Sequence, residues 1–187
     1  MLACLFLGAC SSGKKQTPER ETASGYDIIS KQYDAGVLYE AVYTKLEQEA
    51  SDYAGAFFDR ESKDLVLLVK EGGDGSTKKI VEAVDLEQLR REDTEFACTD
   101  IGLLVRYQPV SLSLRELGTV KEACQSILQQ KNITVYGSET DLANNRVVLA
   151  VSEYSDHLSA ELGDILEQRG WPAGAAVLEQ GVLQETE

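Results

Sequence analysis

The stretch Ile133–Val151, ITVYGSETDLANNRVVLAV, reads as a β-hairpin. Ile133 and Val135 alternate with Thr134 and Tyr136, and Val147–Val151 is a short apolar, β-branched run. Between them, Asp141-Leu-Ala-Asn-Asn145 supplies turn chemistry, because Asn and Asp bond their own backbone and tolerate a positive φ. The chain contains this pattern twice. Asp59–Val69, DRESKDLVLLV, lies over Asp141–Val151, DLANNRVVLAV, without a gap, at an offset of 82 residues (59 to 141). The same offset pairs Gly55 with Gly137, Glu40-Ala41 with Glu122-Ala123, and Leu46 with Leu128.

A repeat of that length divides the 187 residues into two small modules, each large enough for one core. Apolar content of 43% and charged content of 27% are ordinary for globular chains. The formal net charge of −14 repels phosphate backbones and argues against nucleic acid as a partner.

Residues 1–9 read as a signal peptide: Met1–Ala9 is apolar and uncharged, and small residues precede Cys10. Leu7-Gly-Ala-Cys10 resembles a bacterial lipobox. The resemblance implies cleavage before Cys10, a diacylglycerol on its sulfur, and a mature chain on the outer side of the cell membrane, held there by the lipid alone. No Lys or Arg precedes the apolar run, which is too short to span a bilayer. Residues 10–34 then form the lipidated Cys and a flexible tether, polar through SSGKKQTPERETASG.

In the first module, 35–100, Leu38, Ala41, Val42 and Leu46 recur at helical spacing over Val37–Ala50. The strands Tyr53–Phe58 and Leu65–Val69 follow, then a helix over Thr77–Glu92. In Glu71-Gly-Gly-Asp-Gly-Ser76, Lys78 follows Ser76-Thr77, whereas a phosphate loop needs its Lys before the hydroxyl residue. The second module, 101–180, starts with a strand over Leu103–Tyr107. Ser113-Leu-Arg-Glu116 is a capping box for a helix with Leu117, Val120, Cys124, Ile127 and Leu128 on one face. After the hairpin, Ser155 or Asp156 caps a last helix, Gly170 ends it, and Ala175–Leu178 is a closing strand. From Leu103 the order is β-α-β-β-α-β; the first half gives α-β-β-α and then reaches the same strand, to borrow it or to use a lead-in from Tyr26-Asp-Ile-Ile29. The expectation is an α+β chain of two tandem ferredoxin-like (split βαβ) modules, with antiparallel sheets and helices on one face, and an acidic tail at 181–187.

Tyr53-Ala-Gly-Ala-Phe-Phe-Asp59 with Leu65–Val69, then Arg106-Tyr107, Ser111–Leu117 and Asp141–Leu149, resembles the pro-region modules of bacterial secreted chymotrypsin-fold serine proteases, the α-lytic protease and streptogrisin type. The resemblance covers about Val37 to Leu178. It implies small α/β subdomains that bind a protease domain and block its active site, partly by adding strands to its sheet. Here the modules come without a protease domain and on a lipoprotein-type N-terminus. The functional expectation is therefore a protein-binding module whose partner is a secreted protease, with a structural envelope lipoprotein as the alternative.

Catalytic chemistry finds little footing. The one His, His157, sits among cap residues in Ser155-Asp156-His157, and no Gly-x-Ser-x-Gly elbow occurs. No catalytic, cofactor or metal site is assigned, and no enzymatic activity is expected. Cys4 leaves with the signal. Cys98 and Cys124 remain, and an oxidising compartment permits a bridge between them; two buried free thiols fit the spacing equally well.

Overall fold

The computed structural model describes residues 28–181. The signal segment, Cys10 and most of the tether lie outside them, as does all but the first residue of the acidic tail. Helix α1 (Ile28–Glu49) starts well before Val37 and takes in Ile28–Asp34, which were expected to be tether. Asp34 explains the early start: it is buried, and its carboxylate accepts the Ala97 amide through both oxygens.

Strands β1 (Tyr53–Phe58) and β2 (Leu65–Lys70) form the first hairpin. The expected single helix over Thr77–Glu92 is two, α2 (Ser76–Glu82) and α3 (Leu86–Glu92). Asp85 divides them by capping α3 through the amides of Glu87 and Gln88. Strand β3 (Val105–Val110) follows. The second module runs α4 (Leu114–Gln130), β4 (Val135–Asp141), β5 (Arg146–Val151), α5 (Asp156–Gln168) and β6 (Ala176–Gln180). Ser113 and Glu116 form the expected capping box, and Ser155 caps α5.

Two three-stranded sheets result, ordered β1-β2-β3 and β4-β5-β6. Both are mixed and not antiparallel, because β3 and β6 each return through helix and pair in parallel with the middle strand. β3, expected to open the second module, joins the first sheet: Val105 and Tyr107 pack on the first core and Val110 on the opposite face. Each sheet thus holds three strands where a split-βαβ module has four.

The repeat is visible in the register. Tyr53↔Val69 and Gly55↔Leu68 recur as Val135↔Val151 and Gly137↔Ala150, each pair of steps enclosing a bulge. Buried Ala35, Leu38, Val42 and Leu46 of α1 recur as Leu117, Val120, Cys124 and Leu128 of α4. Past the hairpins the offset falls from 82 to 71 (105 to 176), since the first crossover holds two helices and a 3-10 turn and the second one helix and a 3-10 turn. Each module buries its own core on the helix side of its sheet.

Candidate functional site

The modules meet through the tip of the second hairpin. Asp141 builds that tip: its carboxylate accepts the Asn144 amide and the Arg146 guanidinium, and Asn145 takes a φ of 50°. Leu142, at the tip, lies on the first sheet's outer face, the one turned away from α1. There Ala54, Val66 and Leu68 form an apolar cluster with Phe57, Val110 and Leu142 packed against it. The fit needs a glycine: a Cβ at Gly55 would stand 2.7 Å from Leu142 Cδ2. The first turn of α4 completes the contact. Leu114 packs on the first core, the Arg115 guanidinium donates to the Gln48 carbonyl, and Lys70 pairs with Glu116. Burial pushes the Glu116 carboxyl up, but the bonds from Lys70 and Ser113 outweigh it and hold the group below its ordinary value.

The second sheet repeats this outer face with no hairpin tip against it; Tyr136, in the place of Ala54, lies across the end of the face, where a Cβ at Gly181 would stand 2.5 Å from the Tyr136 ring. Alternation along the paired strands places Gly137, Glu139 and Asp141 of β4, Arg146, Val148 and Ala150 of β5, and Val177 and Glu179 of β6 on the side away from α4. Ser138 confirms the orientation, since its hydroxyl accepts from Gln125 of α4. Glu139 stands where the first sheet has Phe57, and Ala150 where it has Leu68. Tyr136, Gly137, Glu139 and Glu179 are exposed, and Val148 lies outside the three apolar clusters. The matching edge strands differ likewise: Tyr53, Ala54 and Gly55 are buried, whereas Tyr136 and Gly137 are exposed and Val135 is half-buried. An exposed edge strand beside a small-residue face can accept a partner strand or a hairpin tip.

The other candidate groups serve packing. Tyr39 contacts Tyr43 at a centroid distance of 5.4 Å and Phe58 at 6.1 Å, and its hydroxyl lies 3.3 Å from that of Tyr53. These contacts join α1 to β1, with Tyr43 and Phe58 partly at the surface. Burial and the Tyr39 contact push the Tyr53 phenol up, and burial with nearby Glu82 pushes that of Tyr107 up to about 12. The Tyr107 hydroxyl is buried without a hydrogen-bond partner among the described residues. Asp52, 4% exposed, caps α2 from the hairpin side by accepting from the Thr77 amide, the Thr77 hydroxyl and the Ser76 hydroxyl.

Cys98 and Cys124, which the sequence left as either a bridge or two buried thiols, are both buried and lie in separate cores, Cys98 in the first and Cys124 in the second. Burial raises the Cys124 thiol to about 11, which keeps it protonated and inert. His157 is exposed in the first turn of α5. Among the described residues no group of three His, Cys, Asp or Glu side chains could hold a metal, and no helix is long and apolar enough to cross a membrane. Cys10, the expected lipid attachment, lies outside those residues.

Leu142, Glu139 and Ala150 were not marked by motif or spacing, and Gly55 was marked only as the repeat partner of Gly137. One signal was present: at the offset of 82, Leu142 lies over Arg60, an apolar residue at the tip of an otherwise polar turn. No family model, no curated protein and no solved structure matches the chain.

Proposed function

We propose that the chain is a lipid-anchored, extracytoplasmic protein-binding module whose docking surface is the outer face and β4 edge of the second sheet. One observation carries this reading: the same surface on the first module is filled by a protein element, the Leu142 tip with the first turn of α4, while on the second it is open. The surface is small and acidic, with Glu139, Asp141 and Glu179 against Arg146, so it suits a cationic partner. The modules are three-stranded counterparts of the split-βαβ arrangement, and the pro-region resemblance makes a secreted chymotrypsin-fold protease the first partner to test. The lipobox at Leu7–Cys10 supplies the anchor. The alternative, an envelope assembly lipoprotein without a protease link, is favoured by the module-on-module contact, which shows this fold docking on its own kind.

The test is affinity capture from culture supernatant and envelope extract with wild-type bait and with Ala150→Arg, followed by direct titration of each purified candidate. Ala150→Arg places a long cation on the open face and should leave the melting temperature unchanged. The expected result is a serine protease that is slowed by the wild-type bait and released by Ala150→Arg. A partner that binds both baits equally would remove the open face as the site. Loss of membrane association on Cys10→Ala tests the anchor, and unchanged association refutes it.

A further inference from the structure

The contact between the two modules is a template for a contact between two chains. Carried forward by 82 residues, the surface under Leu142 becomes the open face of the second sheet. Carried back by 82, the docking tip becomes Asp59–Asp64, with Arg60 in the place of Leu142. The two tips are built alike. Asp59 accepts the amides of Glu61 and Ser62 as Asp141 accepts that of Asn144, and Lys63 has a φ of 58° where Asn145 has 50°. Both open from strands paired in the same register.

Two of the substitutions between template and copy are matched in kind, while a third, Tyr136 in the place of Ala54, narrows the face beside Ala150. Inside the chain an apolar tip, Leu142, meets an apolar face carrying Phe57. At the transposed position the tip offers Arg60 and the face offers Glu139, and Gly137, like Gly55, leaves room for the tip. A Cβ at Gly137 would meet nothing within 4 Å. Arg60 and Glu139 are both exposed, and neither has an ion-pair partner among the described residues. An exchange at one end alone would leave a charge against an apolar surface; here both ends change together.

We infer that the open face of the second sheet receives the Asp59–Asp64 tip of a second copy of this chain, with the Arg60 guanidinium against the Glu139 carboxylate. The inference rests on the docking reading above and names its occupant. The contact is head-to-tail, so each added copy presents a fresh open face, and the product is a short open-ended array rather than a closed dimer. The net charge of −14 per chain opposes association in solution, whereas anchoring to one membrane raises the local concentration of copies. A weak contact is then sufficient.

The experiment is sedimentation of the full chain over rising concentration, for the wild type, Arg60→Glu, Glu139→Arg and the double variant. The wild type should associate in a concentration-dependent way. Each single variant should weaken association by about tenfold or more, and the double variant should restore it, as should an equimolar mixture of the two single variants. All four should melt alike, because both positions are exposed. A wild type that stays monomeric up to its solubility limit overturns the inference, as do single variants that associate normally or a double variant without recovery. Capture that still depends on Ala150 while the wild type is monomeric would leave the docking surface standing and assign it to another protein. Failure of both would remove the surface as well.

Discussion

Two sheets with one register, one bulge and one turn geometry differ in what lies against their outer faces. On the first, Phe57, Val66 and Leu68 carry the apolar surface that Leu142 covers; on the second, exposed Glu139, buried Val148 and half-buried Ala150 occupy the same rows with no tip against them. The helix sides need no such divergence, because each closes on its own core: Leu65 and Leu67 recur as Val147 and Leu149, all fully buried. What differs between the modules is therefore concentrated where one module touches the other. The comparison separates positions that make the fold from positions that make the contact.

The largest effect that can break the comparison is a charge placed in the middle strand. Val66 is 0% exposed beneath Leu142 and Val148 is 8% exposed on the open face. Val66→Asp should cost about 4 kcal/mol or more in urea unfolding, and Val148→Asp less, about 2–3 kcal/mol, since no hairpin tip lies over it. Equal losses would mean that the second face is covered as well.

A smaller effect comes from the paired glycines. Gly55 has a φ of 121° and sits against Leu142, whereas no positive φ occurs at Gly137 and its surroundings are open. Gly55→Ala should cost about 2–3 kcal/mol through backbone strain and collision, and Gly137→Ala should be neutral within about 0.5 kcal/mol. A tolerated Gly55→Ala would show that the tip does not seat as described.

The smallest effect separates the modules by acid. Burial pushes the Asp52 carboxyl up, but its bonds from Thr77 and Ser76 outweigh this and hold it below its ordinary value. A depressed folded pKa stabilises above the ordinary carboxylate range, and that contribution is lost as pH falls through about 4 and below. Thr134 stands at the equivalent position of the second module and has no such titration. Asp52→Asn should therefore lower stability by about 1 kcal/mol at neutral pH and flatten the acid dependence. An unchanged pH profile would show that another group sets it.

Much of this fold was legible in the chain. The hairpins, the capping box at Ser113, the cap at Ser155 and the stop at Gly170 follow from local chemistry, where a few neighbouring residues decide the outcome. The sequence left β3 to open the second module or to be borrowed by the first, because a strand's partner is a long-range choice; Val105 and Tyr107 are apolar enough for either sheet and pack where the α2–α3 crossover delivers them. The early start of α1 escaped notice because Ile28–Asp34 lacks a clear apolar stripe and is held by Asp34 to Ala97, a contact 63 residues away in sequence. The candidate site was the least legible, since an open face is defined by what does not cover it. Only the exchange of Leu142 for Arg60 across the repeat marked the tip.

Leu142 is encoded after every strand that it covers, and this has a consequence for biogenesis. Synthesis and export run from the N-terminus, so the first sheet is complete once Val110 has emerged, while the lid over Ala54, Val66 and Leu68 is still to come. In that interval the nascent chain shows a greasy flank that invites chaperones or clumping. The second module passes through no such stage, because its outer flank is already wettable. A chain cut after Val110 should precipitate, whereas the piece from Ser111 onward uncovers only Leu114 and Leu142 and should stay dispersed. The dependence between the siblings runs one way, from the earlier-made to the later-made.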